Sequence, residues 1–238
     1  MNGVIVQSQD AVTLVGGGPV TRRDLTLAMA RAPVVVAADG GADQVLAAGV
    51  MPAAVIGDFD SISEAARAAI SPDRQFPIAE QATTDFDKVL RSVEAPFVLA
   101  LGVTGARVDH SLAVLNALVR HRGCPCFVIS GMDVIFHVPQ AVEMTLKVGD
   151  RCSLFPMGAV AGTSRGLHWP IDGLQFAPDG VIGTSNRVSE PQVRLRFDQP
   201  GMLVILPRAR LDAAINALVS KWRGPHRGRR GVRGVRGG

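Results

Sequence analysis

Between residues 11 and 132 the chain repeats one pattern: a short, continuous apolar run, a break rich in Gly or Asp, then a helix-like segment. The apolar runs are VTLVGG from Val12, VVVAADGG from Val34, AAVIGDFD from Ala53, PFVLALGV from Pro96 and CPCFVIS from Cys124, with a shorter strand around Gln75 to Ile78. The segments between them read as helices. Thr21 is a cap candidate for the first of these helices, and Gly49 ends the second. Ser61, with Glu64 three residues on, has capping-box spacing for the third. Leu112, Leu115, Leu118 and Val119 recur at helical spacing in the last. Unbroken apolar strands alternating with helices predict a parallel sheet covered on both faces. In such a sheet, ligands collect beyond the carboxyl ends of the strands.

The pattern changes after about Gly131. Short runs (VIFHV, VEMTL, RCSLFP, QVRLRF, MLVIL) are separated by Pro, Gly, Asp and Asn, which predicts an antiparallel, sandwich-like β domain. From residue 208 an amphipathic helix carries Leu211, Ile215, Leu218, Val219 and Trp222 on one face. The expected organisation is therefore an α/β domain over residues 1–132, a β domain over 133–207, a helix over 208–223 and a disordered Gly/Arg tail over 224–238.

The formal net charge of +4 belongs to that tail. Seven basic residues and no acidic ones lie between Lys221 and Gly238, which leaves 18 basic against 21 acidic residues in the body. The body thus has no electrostatic footprint for nucleic acid. No apolar run approaches the roughly 18–20 residues of a membrane span, and MNGVIVQSQD lacks the basic start and apolar block of a secretory leader. The three cysteines, Cys124, Cys126 and Cys152, complete no zinc pattern and read as small buried hydrophobes in a reducing compartment.

Polar residues gather where four strands end: Gly16-Gly17-Gly18, Asp39-Gly40-Gly41, Gly57-Asp58-Phe59-Asp60 and Gly102-Val103-Thr104-Gly105. Asp58 and Asp60 share one side of an extended segment, with Phe59 turned toward the core. Two like charges that close repel unless a cation sits between them, and Mg²⁺ prefers oxygen ligands. Asp60 also competes with Ser61 as cap of the next helix. In QATTDFDK, Thr83 or Thr84 caps a helix whose first turn holds Asp85. Lys88, three residues on, shares that face and adds a cation that can pair with phosphate. Gly102 and Gly105 let backbone amides approach a phosphate. Arg107 either pairs with phosphate or is a solvated helix-start residue, and Asp109 either caps the helix or joins the chemistry. In the β half, RGLHWP presents Trp169, and GTSN (183–186) is a hydroxyl-bearing turn.

Taken together, ADGGADQVLAAGVMPAAVIGDFDSI, QATTDFDK, LGVTGARVDHSLAVL, SRGLHWPIDG and GTSN resemble the thiamine pyrophosphokinase family. The resemblance implies an N-terminal α/β nucleotide-binding domain, a C-terminal β domain and a cytoplasmic homodimer. It implies transfer of a pyrophosphoryl group from ATP to the hydroxyl of thiamine, giving thiamine diphosphate and AMP. It assigns Mg²⁺ to Asp58, Asp60 and Asp85, and catalysis to these three with Lys88 and Asp109. ATP falls to Asp39, Gly40, Gly41, Thr84, Gly102, Thr104, Gly105 and Arg107. Thiamine falls to Gln81, Trp169, Thr184, Ser185 and Asn186, partly across the dimer interface. The chain departs from the family at Ala82, often Asp, and at Ala106, often Gly. The rival readings are a pyrophosphokinase of the same fold acting on a pterin alcohol, and a binding module whose Gly/Arg tail engages RNA or another polyanion.

Overall fold

The computed structural model describes residues 3–105 and 107–219; the expectations placed on Ala106, Trp222 and the Gly/Arg tail fall outside them. By internal contacts the described chain divides into two compact units, residues 3–117 and 118–219. The first contains β1 (Val6–Gln7), β2 (Val12–Val15), α1 (Arg22–Met29), β3 (Val34–Ala38), α2 (Gly41–Ala47) and β4 (Ala54–Gly57). It continues through α3 (Glu64–Ala69), β5 (Gln75–Pro77), α4 (Asp85–Ser92), β6 (Val93–Glu94), β7 (Val98–Leu101) and the start of α5 (Val108–Arg120).

Within this unit β7, β2, β3, β4 and β5 lie side by side in that order, all parallel. Every residue of β2, β4 and β7 is buried, as continuous apolar runs require when both sheet faces are covered. Burying each Val, Leu or Ile contributes roughly 1.5–3 kcal/mol relative to exposure. The chain moves outward from β2 through β3, β4 and β5, then returns to place β7 on the other side of β2. That reversal opens a crevice at the carboxyl ends of the strands. The two-residue parallel pair β1–β6 is an addition that the sequence pattern did not predict.

Local signals set the helix starts. Thr21 Oγ1 accepts from the Asp24 amide (3.1 Å) to cap α1, and Thr84 Oγ1 accepts from the Asp87 amide (3.4 Å) to cap α4. The cap of α3 is Ser63, whose Oγ accepts from the Ala66 amide (3.1 Å), and not Ser61 or Asp60. Ser63 directly precedes Glu64, so the helix begins two residues later than the Ser61–Glu64 spacing suggests.

The second unit contains β8 (Cys126–Ser130), β9 (Asp133–Val138), β10 (Ala141–Thr145), β11 (Ser153–Pro156) and β12 (Val160–Arg165). After these come β13 (Gln175–Phe176), β14 (Gln192–Phe197), β15 (Met202–Pro207) and α6 (Leu211–Val219). Strands β11, β15, β9 and β8 pair antiparallel in that order, and β10, β14, β12 and β13 form a second antiparallel sheet. The CPCFVIS run forms β8, the first strand of this unit. It returns on β9 through a two-residue turn in which Gly131 adopts φ 57°, a conformation glycine takes without steric cost. Strands β10 and β14 alternate exposed and buried residues, as one-sided burial predicts. All three cysteines are free; Cys126 and Cys152 are buried, and burial pushes the Cys152 thiol up to about 12. No helix among the described residues is long and apolar enough to cross a membrane.

His137 interrupts the apolar lining of β9. Its Nε2 accepts from the Gly201 amide (3.2 Å), which requires the neutral ring. Burial, with a smaller contribution from Arg122, lowers its pKa from 6.5 to about 4. Between those values the unfolded chain binds a proton that the folded chain refuses, so stability falls as pH drops from 6.5 toward 4. His137→Gln should flatten this acid slope in a series of thermal melts; an unchanged slope would contradict the assignment.

Candidate active site

The strand-end loops of the first unit enclose a cleft of about 750 Å³. Asp39, Gly40, Asp58, Asp60, Gln81 and Thr84 line it, as do Asp85, Lys88, Gly102, Thr104 and Arg107. Gly41, Gly105 and Asp109 do not. Gly41 is instead a packing residue, because a Cβ there would lie 2.0 Å from the Val15 carbonyl oxygen. The Gly105 amide donates to Ser111 Oγ (3.2 Å) at the start of α5.

The cleft is built on close approach between β3 and β4. Ala38 pairs with Ile56, so the residues that leave these strands emerge side by side. A Cβ on Gly57 would sit 2.8 Å from the Cβ of Asp39, so only glycine admits Asp39 at this point. Asp39 and Phe59 both have positive φ (42° and 66°), an uncommon conformation for residues with side chains. The chain is therefore not extended through Gly57-Asp58-Phe59-Asp60, and strict alternation does not hold. Phe59 is only half-buried, with the Arg67 guanidinium 5.6 Å from its ring centroid, and it is not the core anchor expected from the sequence.

The carboxylates converge all the same. Asp39, Asp58 and Asp60 each place an oxygen within 4.8 Å of the others. Asp39 Oδ2 accepts from the Ser61 amide (3.0 Å), whereas its Oδ1 is buried with no hydrogen-bond partner. Asp58 Oδ2 accepts from Lys88 Nζ and from Gln81 Nε2 (both 3.1 Å), and its Oδ1 is likewise buried and unpartnered. Asp60 Oδ1 accepts from Ser61 Oγ (2.7 Å).

Lys88 is 1% exposed and also donates to Asp85 Oδ1 (2.9 Å). Burial alone would lower its pKa, but the Asp85 and Asp58 carboxylates outweigh that and raise it. For Asp58, burial acts upward and is outweighed by Lys88 and Gln81, so it stays ionised below the usual range. Asp39 lacks such a cation. Burial pushes it up to about 6 against the opposing Ser61 amide, with the neighbouring Asp60 and Asp85 carboxylates adding to the rise.

At the mouth of the cleft Arg107 grips Asp109 with two hydrogen bonds, Nε to Oδ1 (3.1 Å) and Nη2 to Oδ2 (2.5 Å). Led by that contact, the Asp109 carboxyl drops to about 2, which makes it a poor proton acceptor at neutral pH.

In the second unit Trp169 is 53% exposed, with the His168 ring edge-on at 4.5 Å. Buried Asn186 accepts from the Trp169 amide (3.2 Å) and donates to its carbonyl (2.7 Å), so it fixes the tryptophan backbone. Ser185 has φ 62° and donates its amide to Ser153 Oγ (3.0 Å); Thr184 is exposed beside it. The sequence pattern did not single out Asp43, Ser63, Thr83 or His110 as cleft residues, although all four line it. Asp43 accepts from both the amide (3.1 Å) and the hydroxyl of Ser63, tying α2 to the start of α3. That contact links residues 20 positions apart and leaves no local sequence signal.

Comparison with known proteins follows the division of the chain. The family model for the thiamin pyrophosphokinase catalytic domain matches residues 25–128, and that for the thiamin pyrophosphokinase vitamin B1 binding domain matches residues 134–202. Neither match favours a pterin alcohol. The chain is 29% identical over 203 residues to thiamine pyrophosphokinase 1 of Oryza sativa subsp. japonica, an alignment covering 71% of this chain and 76% of that protein. It is 32% identical over 116 residues to thiamine pyrophosphokinase of Bacillus subtilis, covering 46% and 54%. Its fold resembles the solved thiamin pyrophosphokinase of Candida albicans with a TM-score of 0.70 at 19% identity, over 87% of this chain and 93% of that one. With both halves of one family matched in order along most of its length, the chain belongs to the thiamine pyrophosphokinase family.

Proposed function

We propose that the protein transfers a pyrophosphoryl group from ATP to the hydroxyl of thiamine, producing thiamine diphosphate and AMP. The observation that carries this reading is the convergence of Asp39, Asp58 and Asp60 beside buried Lys88, inside the region matched by the catalytic-domain model. Two buried carboxylate oxygens without donors, Asp39 Oδ1 and Asp58 Oδ1, fit a hard divalent cation. Asp39, Asp58 and Asp60 would hold Mg²⁺, with Asp85 at the outer side of Lys88. When bound, the ion supplies charge neutralisation to the polyphosphate.

The remaining work falls to the chain itself. Lys88 fixes the orientation of Asp58 and keeps a positive charge at the floor of the cleft. Thr84 ends the loop before α4, so the amino end of that eight-residue helix faces the cleft, where an anion is favoured. Gly40, Gly102, Thr104 and Arg107 border the space assigned to ATP. In the transfer, the thiamine hydroxyl oxygen bonds to the β-phosphorus. The bond to the α–β bridging oxygen breaks, and AMP leaves with that oxygen. The hydroxyl proton passes to water. Catalysis of this type rests on positioning and charge stabilisation rather than on a protein nucleophile. Asp109, ionised and exposed, suits the cationic thiazolium better than it suits proton abstraction.

For the vitamin, the exposed Trp169 ring offers a face to a flat cation. Asn186 fixes the backbone of Trp169, and Thr184 and Ser185 directly precede Asn186 in the same turn. This assignment makes residues 1–132 the ATP-binding catalytic domain and 133–207 the sandwich-like domain that binds the vitamin. We assign the working form to a cytoplasmic homodimer.

Incubation with ATP, Mg²⁺ and thiamine should yield AMP, with thiamine diphosphate in equal amount; ADP as the nucleotide product would overturn the assignment. Asp39→Asn tests the metal-binding set. It removes an unpaired buried charge and gives its neighbours an amide donor, so the metal-free protein should gain about 1 kcal/mol, or roughly 2–4 °C in Tm. Mg²⁺ should then no longer raise Tm. A lower Tm in the metal-free variant, or retained stabilisation by Mg²⁺, would contradict the role given to Asp39.

A further inference from the structure

The loop between β5 and α4 delivers Gln81, whose amide meets Asp58, and leads into Asp85. Both of its shoulders are fastened to one residue beyond the cleft. Arg91, in the last turn of α4, reaches back along its own helix: Nη1 donates to Thr83 Oγ1 (3.0 Å) and Nη2 donates to Glu80 Oε1 (3.2 Å). The triangle closes with a hydrogen bond between Thr83 Oγ1 and Glu80 Oε1. Its polarity is fixed, because a guanidinium only donates and an ionised carboxylate only accepts. The Thr83 hydroxyl must therefore accept from Arg91 and donate to Glu80, and it cannot rotate without losing both bonds.

Arg91 is not in the lining of the cleft, and its side chain is 27% exposed. As a surface ion pair alone, Arg91–Glu80 would contribute little to stability. Its geometry points to a different role. Residues 80 and 83 are the two points held, and residues 81 and 82 lie between them. Ala82 has no side chain able to anchor the turn, so the position of Gln81 depends on the flanking clip. Gln81 in turn supplies one of the two donors on Asp58 Oδ2; Lys88 supplies the other. With both in place, Asp58 Oδ1 is left free toward Asp39 and Asp60.

We infer that Arg91 is a positioning residue of the active site: through Thr83 and Glu80 it holds the 80–83 turn so that Gln81 orients the Asp58 carboxylate. This inference rests on the reading of the cleft as an ATP and divalent-cation site. Outer partners that orient a metal-binding group commonly change affinity by 10–100-fold.

The test is calorimetric titration of the full-length protein with Mg²⁺–ATP, alongside steady-state kinetics. Arg91→Ala should weaken Mg²⁺–ATP binding by roughly tenfold, the lower end of that range, and reduce kcat while Tm stays near that of the wild type. Arg91→Lys should not restore binding, since an ammonium lacks the two-pronged fork. Thr83→Val, which leaves Arg91 intact, should produce the same loss. The Thr83→Val/Arg91→Ala double variant should be no worse than the more severe single variant. Wild-type affinity in Arg91→Ala, rescue by lysine, or additive losses in the double variant would overturn the role of Arg91. Failure of the wild-type protein itself to bind Mg²⁺–ATP would instead overturn the reading of the cleft, and the inference with it.

Discussion

Everything in the cleft is arranged around Lys88. Its ammonium is buried between Asp58 and Asp85, two carboxylates delivered by different elements, the end of β4 and the first turn of α4. A buried cation is costly unless it is paired and hydrogen-bonded. Here the pairing joins a sheet edge to a helix start across 30 residues of sequence. It also divides the acidic groups into two kinds. Asp58 and Asp85 share a positive partner inside the protein. Asp39 lacks one, and burial, with no cation to oppose it, pushes its pKa up to about 6. An excess of carboxylate over cation, held rigid and partly dry, is a site that lacks a positive charge, and this is the ground on which we assign a divalent ion to it.

Rigid placement of these groups carries a conformational cost. Asp39 and Phe59 occupy left-handed backbone, and Gly57 leaves room where a methyl group would collide with Asp39. Unusual backbone of this kind costs of order 1–3 kcal/mol per residue and persists where surrounding structure over-determines it. The surrounding structure here is the fully buried parallel sheet, whose strands end at a common edge. Stability from the sheet core thus offsets strain and like-charge proximity at the rim.

How much of this could be read in the sequence depended on range. The parallel strands were legible because strands buried on both faces are written as unbroken apolar runs. The caps at Thr21 and Thr84 were legible because capping is local. The α3 cap was misplaced because Ser61 and Ser63 both precede Glu64, and spacing alone does not choose between them. Phe59 was misread because alternation presumes an extended chain, and the left-handed turn broke it. Asp39 was recognised as a strand-end residue but not as a neighbour of Asp58 and Asp60; that needed the β3–β4 pairing. The reach of Arg91 back to Thr83 and Glu80 follows no standard helical spacing and became visible only in three dimensions.

In the proposed cation site Asp39, Asp58 and Asp60 act together, with Asp85 turned toward Lys88. Anomalous diffraction from crystals grown with Mn²⁺ and a non-hydrolysable ATP analogue locates the ion directly. A single strong peak is expected within coordination distance of carboxylate oxygens from Asp39, Asp58 and Asp60. A peak held by Asp85 without Asp39, or no peak in a cleft that contains the nucleotide, would contradict it.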